Sequence, residues 1–306
     1  MTGVNSRKWD VGSSEWKTVD IDALLTLKER LQAHLLQVAR DRDPYLATAG
    51  HFFVREYIRA QFAQWGTVAT HEFREQGTVF QNLILNLPAQ EETKRRSLPP
   101  ILIGAHYDAV PGSPGADDNA TGVAVLLELA RLFATTPIRY PIRLVAFDLE
   151  ETSYDRAGST HYANSLQHEP LRLMLSLEML GYCDRTAGSQ RYPAGLHHFY
   201  PNRGDFIGLI GNLKTIPDLI RLSRAVRQCD VPCEWLPAGK RGLIVPDTRR
   251  SDHAVFWDKG YRAIMVTDTS FLRNPHYHQP SDRLETLDLD FLTNVCHSLA
   301  RGIQQL

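Results

Sequence analysis

The chain has too few cysteines and too little net charge for several common classes of protein. Its four cysteines, Cys183, Cys229, Cys233 and Cys296, are too sparse for a disulfide framework in 306 residues, so we expect reduced thiols. The 34 Lys and Arg residues are balanced by 35 Asp and Glu residues. Because nucleic acid and anionic lipid attract a basic surface, neither nucleic acid nor a membrane is expected as a partner.

Long apolar runs are missing as well. The amino terminus, MTGVNSRKWDVGSSEWKTVD, lacks the apolar segment of a secretory signal. No run approaches the roughly 20 apolar residues that a helix needs to span a bilayer. We therefore expect a cytoplasmic protein, and no pattern indicates its oligomeric state.

The chain does contain an alternation of helical and strand patterns. Apolar residues spaced three or four apart predict a first helix from near Asp20 or Asp22, and a last helix with Leu292, Val295 and Leu299 on one face. The charged segment at residues 89–99 is expected to be an exposed hairpin loop. Between the two helices, apolar runs predict strands at residues 67–73, 79–87, 101–103, 142–147, 173–177, 206–210 and 263–266.

This alternation predicts an α/β fold. We expect a three-layer sandwich, in which helices cover both faces of a mixed central β-sheet. The hydrophobic content of 43% is sufficient for a large core. A single domain is expected at residues 18–306, after a polar lead at residues 1–17.

The most informative stretch is ILIGAHYDAVPGSPGADDNATGVAVLLELARL, at residues 101–132. It begins as a buried strand, continues through His106 and Asp108 into a loop with Asp117 and Asp118, and ends as a helical pattern. An imidazole and several carboxylates at the end of a strand are ligands for a divalent cation. A turn and a helix N-cap are the alternative interpretations of these polar residues.

Further candidate ligands follow the later strands. Glu150 and Glu151 come after one predicted strand, Glu178 ends the next, and His276 and His278 lie beyond the last. A bridged pair of divalent ions, roughly 3.5–4 Å apart, needs one shared carboxylate and a His plus a carboxylate at each ion. The polar residues at the strand ends are sufficient for that set, so we predict a metal site.

The same residues lie in motifs that resemble those of the M28 zinc aminopeptidases, a family of exopeptidases with two catalytic metal ions. The motifs occur in the family's order and extend over about residues 100–285. The early helices and residues 79–87 are also similar to the family's amino-terminal region. The motifs are GAHYD, GADDNATG, FDLEE, LSLEMLGY, SDHAVFWDKGY and NPHYHQPSD.

The resemblance implies a ligand set. His106, Asp118 and Glu178 would hold one Zn²⁺, and Asp118, Glu151 and His278 would hold a second. Two Zn²⁺ ions per chain are expected, with one as the alternative. The chain departs from the pattern at Glu178, where the best-known members of the family carry Asp.

The resemblance also implies choices between neighbouring residues. Asp118 would be the bridging ligand because it is the second acid of the GADDN motif, although composition alone does not separate it from Asp117. The N-P-x-x-H pattern favours His278 over His276 as the ligand. Glu150 would be the general base.

Three further side chains are candidates for roles beside the metals. Asp108 would orient the imidazole of His106, with a turn acid as the alternative. Tyr277 would donate its phenol to a developing oxyanion, with a packed aromatic ring as the alternative. Asp252 would support the site or bind a substrate amine, with an N-cap as the alternative. The loop at residues 237–250 is a candidate border of the substrate site, with solvated surface charges as the alternative.

The implied activity is hydrolysis of the amino-terminal peptide bond by a metal-activated water, with a Glu as general base. The substrate would be a peptide with a free amino terminus. One alternative is a glutaminyl cyclase, a single-zinc transferase on the same fold. The full five-ligand set and Tyr277, in place of Trp, before the last His argue against it. The other alternative, a non-catalytic binding relative, is disfavoured because every ligand is kept.

Overall fold

The computed structural model describes residues 21–91, 97–151 and 156–306, so the predicted polar lead at residues 1–17 lies outside the described residues. The strands are β1 (Val68–Glu75), β2 (Thr78–Leu87), β3 (Ile101–His106), β4 (Ile142–Phe147), β5 (Leu173–Glu178), β6 (Ile207–Asn212), β7 (Cys233–Ala238) and β8 (Ala263–Thr267). The helices are α1 (Ile21–Val38), α2 (Thr48–Ala63), α3 (Gly122–Thr135), α4 (Ala157–Ser165), α5 (Ile216–Arg227), α6 (His253–Asp258) and α7 (Leu289–Gln304). None of these helices combines the length and the apolar character that crossing a bilayer requires.

The eight strands form one sheet in the order β1-β2-β4-β3-β5-β8-β6-β7. The four central strands, β4, β3, β5 and β8, are parallel to one another. On one side β2 is antiparallel to both β4 and β1, and on the other side β6 is antiparallel to β8 and parallel to β7. The sheet is therefore mixed, as predicted.

Helices cover both faces of this sheet. Alternate residues of a strand point to opposite faces, so Ile103 and Leu102 of β3 enter different hydrophobic cores. Ile103 packs in the larger core with α1, α2, α3, α5 and α7. Leu102 packs in the smaller core, with Tyr162 of α4 and Phe256 of α6. The predicted three-layer α/β architecture is confirmed.

Residues 89–99 do not form a hairpin loop, contrary to the prediction. A hairpin requires β2 and β3 to be neighbours, but β4 lies between them and pairs with both. The apolar run of β4 is suited to this interior position, where both of its edges are hydrogen-bonded. Residues 92–96 of the connection lie outside the described residues.

Two elements carried no clear pattern in the sequence. β7 is an edge strand whose side chains are buried only at Cys233 and Ala238, and Pro237 is tolerated there because an edge strand needs fewer donors. α4 has the sequence AGSTHYANS, with few apolar residues to mark a buried face.

Candidate metal centre

The carboxyl ends of the four parallel strands meet at one edge of the sheet, and each brings a predicted ligand there. His106 is the last residue of β3, and Glu178 is the last residue of β5. Glu151 follows β4, and His278 follows β8. Asp118 comes from the turn between β3 and α3. The predicted ligands, which are widely separated in sequence, therefore come together because parallel strands end at the same edge.

The five side chains form two clusters that share Asp118. In the first, Nε2 of His106 lies 3.4 Å from Oδ1 of Asp118 and 3.5 Å from Oε1 of Glu178. In the second, Nε2 of His278 lies 3.2 Å from Oδ2 of Asp118 and 3.1 Å from Oε2 of Glu151. Oδ1 of Asp118 thus faces the cluster of His106 and Glu178, and Oδ2 faces the cluster of His278 and Glu151.

The donor atoms of these clusters fit a zinc ion. Two tetrahedral ligands at about 2.0–2.1 Å from Zn²⁺ are about 3.3 Å apart, close to the separations between imidazole and carboxylate here. Nε2 of His106, Nε2 of His278 and Oδ1 of Asp118 are buried and have no hydrogen-bond partner. Because buried polar atoms are nearly always partnered, these atoms are suited to hold cations.

The electrostatics of the centre also favour cations. Burial, and after it the charge of Asp118, raise the pKa of Glu151 to about 8. Burial lowers the pKa of His278, but its contacts with Asp118 and Glu151 raise it to about 10. Several carboxylates are crowded into a space where each opposes the ionisation of its neighbours, and a divalent ion held by them would remove that repulsion.

The structure distinguishes the surroundings of Asp117 from those of Asp118. The composition of the motif could not distinguish these two acids. Oδ1 of Asp117 accepts the Gly181 N–H at 2.9 Å, and Oδ2 accepts the side-chain amide of Asn274 at 2.8 Å. The Asp117 carboxylate is therefore occupied away from the histidines. The neighbouring Asp118 carboxylate faces both of them.

His276 and His278 are separated in the same way. Nδ1 of His276 pairs with the Ser281 hydroxyl at 2.9 Å, in an exposed contact. His278 faces the acids and has a backbone φ of 58°, in the left-handed region that is uncommon for residues other than glycine. This strained conformation accompanies the placement of its imidazole between Asp118 and Glu151.

Glu150 and Glu151 reach the same site because the chain has left the strand before them. β4 ends at Phe147, and Leu149 has a φ of 54°. The Asp108 carboxylate then accepts the N–H groups of Glu150 and Glu151 at 3.1 and 3.0 Å. Its Oδ1 also lies 3.4 Å from Nδ1 of His106. Asp108 therefore connects the His106 imidazole to the paired-Glu loop, a second contact that the sequence did not indicate.

Comparison with known proteins decides the family. The model of peptidase family M28 matches residues 82–203. The chain is also 36% identical over 253 residues to Uncharacterized protein YfbL of Escherichia coli (strain K12), covering 78% of this chain and 76% of that protein. The chain belongs to peptidase family M28. As a member of this family it is a peptide-bond hydrolase.

Two further similarities concern a sequence relative and a solved structure. Over 84 residues the chain is 40% identical to Aminopeptidase YwaD of Bacillus subtilis (strain 168), which covers 26% of this chain and 18% of that relative. The crystal structure of the LapA aminopeptidase of Legionella pneumophila has a TM-score of 0.68 and 20% identity, covering 96% of this chain and 77% of that one. The second likeness shows that the fold is shared.

Glu178 of this M28 chain is fixed by two serines that the sequence analysis did not single out. The Ser251 hydroxyl donates to Oε2 of Glu178 at 2.6 Å, and the Ser176 and Ser251 hydroxyl oxygens are 3.1 Å apart. Oε1 of Glu178 is left to face His106. The longer side chain at this position is therefore held with one oxygen toward the first cluster.

Arg42 is a second residue that the sequence analysis missed. It is fully buried, and its guanidinium donates to the carbonyl of Tyr107 at 2.9 Å, that of Gly115 at 2.9 Å and that of Asp118 at 3.2 Å. Further donors reach the carbonyls of Val38, Arg40 and Pro114. Arg42 thus stabilises the loop that carries Asp118 through hydrogen bonds to three carbonyls of that loop. Its charge also interacts with those of Asp108, Asp118, Glu151 and Asp282.

A cavity of about 530 Å³ opens beside the candidate metal centre, and Asp118, Glu151, Glu178 and His278 line it. Glu150 and Tyr277 line it, together with Val245, Asp247 and Arg250 of the loop that was a candidate border. The ring of Tyr277 stacks on that of His278, with centroids 3.7 Å apart. Burial raises the pKa of Tyr277 above its usual value, so its phenol keeps the proton.

Asp252 is not an N-cap. Its side chain makes no capping hydrogen bond to α6, and its own φ and ψ are helical, whereas a capping residue is extended. Both carboxylate oxygens are buried without a hydrogen-bond partner. Burial raises the pKa of Asp252 to about 7. The charge of His106 lowers this pKa, and the charge of Glu178 raises it.

Proposed function

We propose that this chain is a zinc-dependent aminopeptidase whose two metal sites share Asp118. The observation that carries the proposal is the division of donors around that carboxylate. Oδ1 faces His106, and Oδ2 faces His278, while Glu178 and Glu151 complete the two sets. When bound there, zinc would polarise the substrate carbonyl and lower the pKa of water. The proposal is for two ions per chain.

Glu150 is the proposed general base. Its side chain lines the cavity, and its backbone is held beside the second cluster by Asp108. Glu151, the next residue, contacts His278, so the pair offers one ligand and one free carboxylate. Glu150 would accept a proton from the attacking water and return it to the nitrogen of the leaving amine.

The cavity supports a peptide substrate with an apolar first side chain. The Tyr200 hydroxyl donates to the Trp235 carbonyl at 3.0 Å, and the Tyr192 and Tyr200 rings are stacked with centroids 5.9 Å apart. These contacts fix aromatic rings in the cavity wall. The free amine would lie against the acids of the metal centre, and the Tyr277 phenol would donate to the oxygen of the cleaved carbonyl.

A panel of aminoacyl p-nitroanilides tests this function. We expect hydrolysis by the zinc-loaded protein, loss of activity on chelation and recovery when zinc is added back. A glutaminyl peptide serves as a second substrate, because a glutaminyl cyclase would convert it without hydrolysing the panel. Cyclisation without hydrolysis, or no turnover of any aminoacyl substrate by zinc-loaded protein, would contradict the proposal.

A further inference from the structure

Arg156 is a cation in the cavity wall whose Nε is buried and has no hydrogen-bond partner among the described residues. Glu150 and Glu151 line the same cavity. Within the described ranges, no carboxylate forms an ion pair with it. Other half-buried arginines differ, because Arg143 pairs with Glu169 at 2.9 Å. A guanidinium in a cavity normally has an acid or carbonyl partner, so a missing partner points to a ligand.

The backbone of Arg156 is also in an unusual conformation. Its φ of 47° and ψ of 65° lie in the left-handed region, at the position before α4. The conformation is held by the first turn of the helix, because the Arg156 carbonyl accepts the Thr160 N–H at 3.0 Å and the Ser159 hydroxyl at 3.2 Å. Such conformations cost of order 1–3 kcal/mol and cluster at ligand sites.

The other cavity arginine, Arg250, is already engaged. Its guanidinium lies 4.6 Å from the centre of the Phe271 ring and 3.9 Å from an oxygen of Asp247, and its side chain is 53% exposed. Arg156 therefore remains the cavity cation that is available to an anionic group. A guanidinium binds a carboxylate through two parallel hydrogen bonds, which makes a carboxylate the matching ligand.

Arg156 lines the same cavity as Glu150, which would return a proton to the nitrogen of the leaving amine. A charged group on the leaving amine would therefore lie in the cavity that Arg156 lines. In a dipeptide, the carboxylate carbon is about 2.5 Å from that nitrogen, because the two are separated by one N–Cα and one Cα–C bond. In a longer peptide the same position is an uncharged amide.

We propose that Arg156 binds the free carboxylate of a dipeptide and makes dipeptides the preferred substrates. The inference rests on the proposed aminopeptidase function. A carboxylate in the same place could also come from an acidic side chain in the second residue of a longer peptide, and the substrates distinguish these sources. Leu-Leu carries only the terminal carboxylate, Leu-Leu-amide carries none, and Leu-Glu-amide carries only the side-chain carboxylate.

The test compares Arg156→Gln with the wild type on the three substrates. Loss of a charge-assisted pair should raise KM for Leu-Leu by about tenfold to hundredfold, with kcat little changed. The kinetics with Leu-Leu-amide should not change. Arg156→Lys should recover part of the loss. Arg74→Gln, which removes an exposed arginine of β1 away from the cavity, is the matched control.

The outcomes separate this inference from the function on which it rests. Equal losses on Leu-Leu and Leu-Leu-amide would assign Arg156 a structural role and overturn the inference. A loss confined to Leu-Glu-amide would also overturn it and would assign the site to an acidic side chain. Hydrolysis of Leu-Leu-amide as fast as Leu-Leu by the wild type would overturn the inference alone. Failure to hydrolyse any of the three would overturn the aminopeptidase proposal and the inference together.

Discussion

Replacing Arg42 by Lys should destabilise the protein although the charge is retained. The five N–H groups of the guanidinium reach six carbonyls, whereas an ammonium has three N–H groups, so two or three carbonyls should lose their partner. At about 1–1.5 kcal/mol for each hydrogen bond, the loss is about 2–4 kcal/mol. Because natural domains are stable by about 5–15 kcal/mol, the variant should fold but unfold at clearly lower urea concentrations.

The assay is urea unfolding of zinc-free protein, followed by chelator competition for zinc. Zinc affinity should fall as well, because Arg42 supports the carbonyl of Asp118. Arg40→Lys is the control, since among the described residues the Arg40 side chain makes one hydrogen bond, to the Leu36 carbonyl at 3.5 Å, and lies over the Phe53 ring. Its effect should stay within about 0.5 kcal/mol. Unfolding of Arg42→Lys at the wild-type urea concentration would refute the supporting role.

The remaining predictions concern three acids. Glu150→Gln should retain zinc and lose about 10²–10⁴-fold in kcat, whereas Glu151→Gln should lose zinc affinity and regain activity with added zinc. The reverse result, seen by elemental analysis and kinetics, would exchange the two roles. Burial raises the pKa of Glu128, but His34, Arg30 and Arg131 lower it to about 2, below the usual 4.5. The resulting stability, about 3 kcal/mol, is present above pH 4.5 and lost as the pH falls through 2. Urea unfolding should therefore show Glu128→Gln less stable than wild type at pH 7 and equal to it near pH 2; a constant difference would contradict the assignment.

The sequence predicted those parts of the fold and site that depend on local patterns. Apolar runs located the central strands, and the parallel arrangement of those strands brings His106, Glu151 and Glu178 together at one edge. The sequence also predicted that the chain leaves β4 before Glu150. Adjacent strand residues face opposite sides of a sheet, so Glu150 and Glu151 can reach one site only outside the strand. The conformation of Leu149 meets that requirement.

The remaining features depend on tertiary contacts. Arg42 is an ordinary charged residue in the sequence, and its burial under the Asp118 loop follows from the packing of α1 and α2 on the sheet. The order of β2, β4 and β3 is set by pairing between distant segments, so the charged connection looked like a hairpin loop. Ser251 contacts Glu178, although the two residues are 73 positions apart in the sequence. A local sequence pattern cannot predict a contact between residues so far apart in the chain.

The sharing of Asp118 by two zinc ions is the central claim, and zinc content tests it most directly. Wild type, Glu178→Ala and Asp118→Ala would be dialysed against the same zinc buffer and measured by elemental analysis, with circular dichroism to show that each is folded. We predict about two zinc ions per chain for the wild type, about one for Glu178→Ala and close to none for Asp118→Ala. Equal zinc loss in the two variants would contradict the bridge.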